Sequence, residues 1–118
     1  MPPPEFNETL LIVFPAIPDR EKDLDILFDL EIRMHELIDG SDIGTVDGNE
    51  IDMGEHPNNL DFTLFLYGIN AEKLLEKVTP LLKTCPFTRK AYAILRRGLP
   101  RDWDEETKSK RVQLADLV

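Results

Sequence analysis

Strand, helix and strand follow one another between Leu60 and Gly98 (LDFTLFLYGINAEKLLEKVTPLLKTCPFTRKAYAILRRG), and LLIVFPA followed by EKDLDILFDLEIRMHELIDG starts the same order earlier in the chain. This doubling constrains the fold more than any other feature. Crossovers of this kind are right-handed, so two of them in one chain leave few ways to close a sheet. At 118 residues a single domain removes roughly two thirds of its unfolded-chain surface from water, so neither a metal nor a disulfide is required.

The elements follow from local patterning. Residues 1–8, with Pro2 to Pro4, read as a flexible lead, and residues 9–98 as the domain. Thr9 to Phe14 is an almost wholly apolar strand that Pro15 and Pro18 are expected to end. Asp19 to Asp39 carries a helix closed by Gly40. At 100° per residue, Leu24, Leu27, Leu30, Met34, Leu37 and Ile38 share one face, with Asp25, Asp29, Arg33 and Glu36 opposite. Ile43 to Val46 is a weak strand, and Asp47-Gly48-Asn49 after it has turn chemistry. Leu60 to Tyr67 alternates Phe62, Leu64 and Leu66 with Thr63, Phe65 and Tyr67, the period of a strand. Asn70 caps a second helix from Ala71 to Lys83, with Pro80 on its solvent side. Ala91 to Arg97 is the fourth strand.

The order β-α-β-β-α-β predicts an α+β ferredoxin-like sandwich: an antiparallel four-stranded sheet with two helices on one face and strands one and three in the centre. Residues 99–118 form a tail, in which Arg111-Val112-Gln113-Leu114 alternates well enough to add a short fifth strand or to pack on the sheet. An uncovered sheet face carrying Leu11, Val13, Phe65 and Tyr67 exceeds the apolar patch a soluble monomer usually shows. A homodimer or the tail is therefore expected to cover it.

The residues Asp47-Gly48-Asn49-Glu50-Ile51, Asp61 to Gly68, and Ala91-Tyr92 with Arg96-Arg97-Gly98 resemble an uncharacterised family of small bacterial proteins with a ferredoxin-like pattern. The likeness covers roughly residues 9 to 115. It departs after the strand-end glycine, where Ile69-Asn70 stands in place of a Pro-Asp pair. The resemblance implies a fold and brings no catalytic residue with it.

Charge is segregated along the chain. Met1 to Asp61 holds 16 acidic and 3 basic side chains, and Phe62 to Val118 holds 7 and 11, within an overall net charge of −9. An acidic half steers toward cationic partners. Asp25, Asp29 and Glu36 on the helix, with Asp47, Glu50 and Asp52 after it, are the expected contact residues. The single Cys85 forms no internal bridge, and the apolar run Leu10 to Phe14 is too short to cross a bilayer. With no basic leader at the N-terminus, the expected compartment is the cytoplasm.

Chemical motifs are sparse. His35-Glu36 lacks the second histidine of a zinc-protease helix, since Asp39 stands there. The acidic turn at Asp47 has Ile51 and Asp52 where a calcium loop needs a ligand and a glycine, leaving a solvated turn or an adventitious cation near Asp47, Glu50, Asp52 and His56. Glu31 falls at the edge of the apolar helix face with His35 one turn on. That is either a rim ion pair or, in an enzyme, an acid–base pair. No residue pattern asks for a cofactor. RNA-recognition modules share this element order and display aromatics two apart on the third strand, as Phe65 and Tyr67 would be, with Tyr92 beside them. The acidic balance and the Asn59-Leu60-Asp61 lead-in disfavour nucleic acid. A non-enzymatic interaction protein, immunity-like and directed at a basic protein, is the leading expectation. A small enzyme or ligand-binding domain using Glu31 and His35 is the alternative, and an RNA-binding sheet the second.

Overall fold

The computed structural model describes residues 5–54, 58–100, 103 and 109–117. Among the described residues, strands and α-helices follow one another as β1 (Glu8–Pro18), α1 (Glu21–Ile38), β2 (Gly44–Met53), β3 (Asn59–Gly68), α2 (Ala71–Leu82), β4 (Tyr92–Arg97) and β5 (Ser109–Gln113), with short 3-10 turns at Thr88–Lys90 and Leu114–Asp116. The strands form one antiparallel sheet in the order β2-β3-β1-β4-β5. To the four expected strands the tail adds a short fifth, one of the two placements its alternation allowed, because β5 pairs with the outer side of β4 and does not lie across a face. Strands β1 and β3 are internal, as their apolar sequences require.

Both helices pack on one face, where Leu10, Ile12, Phe14, Phe62, Leu64 and Leu66 of the central strands meet Leu27, Leu30, Met34 and Ile38 of α1 and Leu74, Val78 and Leu82 of α2. Burial of this many large side chains, each worth about 1.5–3 kcal/mol, is the main source of stability. Helix α2 starts where Asn70 accepts a hydrogen bond from the Lys73 N–H at 2.9 Å. Glu8 accepts from the Ala71 N–H at 2.9 Å, tying the start of β1 to the same helix end. Glycine is needed where α2 presses on the sheet. A Cβ on Gly44 would meet the Tyr67 carbonyl at 2.5 Å and Leu74 at 2.7 Å. Gly40, just past α1, has φ +80°, the left-handed conformation expected of a helix stop.

Two bulges alter what the sequence predicts. Pro15 does not end β1; between Phe14 and Ile17 the register against β3 shifts, and Ala16 takes φ 55°. The bulge lies beyond Val13, the last residue paired with β4, where the missing proline donor is tolerated. Nor does Asp47-Gly48-Asn49 make a turn. The ladder shifts between Val46 and Gly48, and the strand continues to Met53. Because side chains alternate along a strand, one extra residue exchanges the faces of everything after it. Ile51 and Met53 therefore pair with Phe62 and Leu60 on the helix side, and Glu50 and Asp52 with Thr63 and Asp61 on the opposite side.

Candidate functional site

Two surfaces carry features that the core does not explain. The first lies along the β2 edge on the helix side. The Phe28 ring meets Phe62 edge-on at 5.7 Å between centroids, and Ile51 is the cross-strand partner of Phe62. Ile32 follows Phe28 by one helical turn, and Met53 follows Ile51 on the same strand face. These four remain exposed, Ile32 at 56% and Met53 at 79%. A cluster of large apolar side chains left open to water is an interaction surface more often than an accident.

Carboxylates border this cluster. On the helical projection Asp25, Asp29 and Glu36 form a crest immediately beyond Ile32, and all three are exposed. Asp29 is partly offset by Arg33, at 3.0 Å in an exposed pair. Below the crest Glu31 accepts from the Asn49 amide of β2 at 2.7 Å. Among the described residues no strand neighbours the outer side of β2, so beyond the Val46 N–H held by Asp39 its outward backbone groups adjoin the same patch.

The expected Glu31–His35 pair exists, with Nε2 3.8 Å from Oε2. It belongs to a longer row, since His35 Nδ1 lies 2.5 Å from Asp39, which also accepts from the Val46 N–H at 2.8 Å. Desolvation pushes the Asp39 carboxyl up, but the Val46 N–H, the His35 ring and the Thr45 hydroxyl outweigh it and hold it below its ordinary 3.8. The row fastens the end of α1 to the start of β2. Glu31 and His35 line neither of two clefts, one of about 940 Å³ between α2 and β4–β5 and one of about 320 Å³ between α1 and Cys85. Burial raises the Cys85 thiol, with hydrogen bonding at Phe87 and Thr88 only partly opposing it, which leaves it a poor nucleophile.

The second surface is the sheet face turned away from the helices. Phe65 and Tyr67 lie there, half-buried, beside Leu11 and Val13 of β1 and Tyr92 and Ile94 of β4. Desolvation and the neighbouring Asp47 carboxylate, which accepts from the Tyr67 hydroxyl at 3.1 Å, push the Tyr67 pKa from 10.0 to about 12. Arg111 sits over the Tyr92 ring at 3.7 Å and Arg96 over Trp103 at 4.5 Å. The three aromatics of the expected platform thus share one face, with Tyr92 already stacked on.

The contact residues expected from charge do not form one surface. Asp25, Asp29 and Glu36 crest the helix layer, whereas the β2 bulge sends Glu50 and Asp52 to the far face, where Asp47 bonds Tyr67. Phe28, Ile32, Ile51 and Met53 were not among the site residues expected from the sequence. Phe28 and Ile32 were visible as an i, i+4 apolar pair off the main stripe; Ile51 and Met53 were hidden by the turn assigned at Asp47. Among the described residues, no group of three or more His, Cys, Asp and Glu side chains is placed to hold a metal ion. His56 lies outside the described residues. Also among the described residues, no helix is long and apolar enough to cross a membrane. No family model matches the chain, and neither the curated proteins nor the solved structures contain a significant match.

Proposed function

We propose that this protein is an interaction module of ferredoxin-like type, extended by a fifth strand, that binds a cationic protein partner on the surface between the α1 crest and the β2 edge. The observation that carries this is the exposed cluster Phe28, Ile32, Ile51 and Met53 bordered by Asp25, Asp29 and Glu36. An apolar centre with a charged rim is the anatomy of a protein contact: the centre provides affinity, and the rim provides steering and rejects wrong partners. Neutralisation of a basic toxin, as immunity proteins do, is the concrete form of this function. An unpaired edge strand allows the partner to add a strand of its own.

The Glu31–His35 alternative has less support. Both Glu31 oxygens are engaged within the chain, and the pair adjoins neither cleft described above. The experiment is co-purification from the source cells using wild type and the double variant Ile32→Asp/Met53→Asp. The expected result is a basic protein held by wild type and lost from the variant, with the variant's circular dichroism unchanged. Equal retention by both, or retention of nucleic acid by both, contradicts the proposal.

A further inference from the structure

The helix-free face of the sheet carries a charge gradient perpendicular to its strands. On the β2–β3 side, Asp47, Glu50, Asp52 and Asp61 lie on this face. Asp52 and Asp61 are direct cross-strand partners, a like-charge pairing that destabilises a sheet unless something compensates it. In the middle are Phe65, Tyr67, Leu11, Val13 and Ile94. On the far side are Arg96 of β4 and Arg111 of β5, which pair with Ser109 and Ile94 and so share this face. Neither arginine has a carboxylate partner among the described residues; both lie on aromatic rings. The Arg96 Nε is buried with no hydrogen-bond acceptor among the described residues.

A basic partner is repelled by one edge of this face and an acidic one by the other, whereas a surface that runs acid, apolar, base is complementary to itself. We infer that the helix-free sheet face is the interface of a homodimer whose two-fold axis runs parallel to the strands, setting the acidic β2 edge of one copy over the basic β5 edge of the other. Rotation about that axis exchanges left and right while keeping the level along the strands. Gly48, Phe65, Leu11, Ile94 and Arg111 occupy one level, so Arg111 arrives above the partner's β2 between the flanking Asp47 and Glu50. Arg96 arrives above Tyr67. A two-fold axis perpendicular to the strands would set acid on acid and base on base. Aligned packing, with the sheets rotated about 30°, is a common way for two sheets to meet.

The size reaches the threshold of a specific contact. Strands about 4.8 Å apart, with about seven residues taken along each of β1–β3, six in β4 and five in β5, at about 3.3 Å per residue give a face of roughly 500 Å². Two copies then bury about 1,000 Å², in the range of weak, transient contacts, so association has to be followed up to high protein concentration. This surface is on the other side of the sheet from the α1 crest, and the inference does not rest on the function proposed above.

The test is sedimentation velocity on the full chain from micromolar to near-millimolar concentration, for wild type, Arg111→Glu, Glu50→Arg and an equimolar mixture of the two variants. Wild type is expected to dimerise and each variant to remain monomeric over the same range. The mixture is expected to recover much of the dimer, since one Arg111 again lies over an unchanged Asp47 and Glu50 while the glutamate introduced at 111 lies over the arginine introduced at 50, with only Asp47 still opposing it; a misfolded variant would not recover. A wild type that stays monomeric throughout overturns the inference, as does a dimer that both variants leave intact or a mixture that fails to reassociate. Binding of a single-stranded RNA oligonucleotide by monomeric wild type, abolished by Tyr67→Ala, would assign the face to nucleic acid and also overturn it.

Discussion

Tyr67 shows at the residue scale how position converts an ordinary side chain into a reporter. Desolvation and the Asp47 carboxylate both oppose its ionisation and raise its pKa to about 12. A group whose pKa is raised in the folded state stabilises that state fully below its unfolded pKa and loses the contribution as pH rises through the folded value. For Tyr67 that window is from about 10 to about 12. Spectrophotometric titration is therefore expected to show one tyrosine ionising near the top of this window. Asp47→Asn should bring it down, leaving only the part due to desolvation. An unchanged titration in that variant would mean that the hydroxyl does not meet Asp47 in solution. From sequence, Tyr67 was legible as one of a pair of sheet-face aromatics. Its partner was not, since the Asp47 segment read as a turn.

Elements were legible where periodicity was strong. Strand β3 and helix α2 lie where alternation and the Asn70 cap predict them, within a residue or two at each end. Strand β2 was not legible, because its glycine and aspartates fit a turn and the ladder's single extra residue leaves no signature in composition. The error had a functional cost: it concealed Ile51 and Met53 and placed Glu50 and Asp52 on the wrong surface. The Asp52–Asp61 pair gives a direct check on the register. Asp52→Lys turns a like-charge neighbour into an opposite one and is expected to stabilise the fold by about 0.5 kcal/mol, within the range of cross-strand pairs. Denaturant unfolding measures it. A destabilised Asp52→Lys variant would show that Asp52 does not face Asp61 and that the bulge at Asp47 is misplaced.

At the scale of the whole molecule, the sequence predicts segregated charge, and the strand order turns that segregation into a direction. The acidic first half supplies α1 and β2, at one side of the sheet, and the basic second half supplies β4 and β5, at the other. Sequence counts alone could not show that the acidic side divides into a helix crest and a sheet-face row, because that division depends on the β2 bulge. The crest is the part tied to the proposed function. Steering by exposed charge acts mainly on the association rate and is screened over about 8–10 Å at physiological salt.

The most direct measurement is therefore the association rate with the co-purifying basic protein across a range of ionic strength, for wild type and for Asp25→Asn/Asp29→Asn/Glu36→Gln. The triple variant is expected to associate several-fold more slowly at low salt, to converge with wild type at high salt, and to dissociate at the wild-type rate. An association rate indifferent to these three changes, together with binding that collapses when Arg96 and Arg97 are reversed to glutamate, would contradict the account.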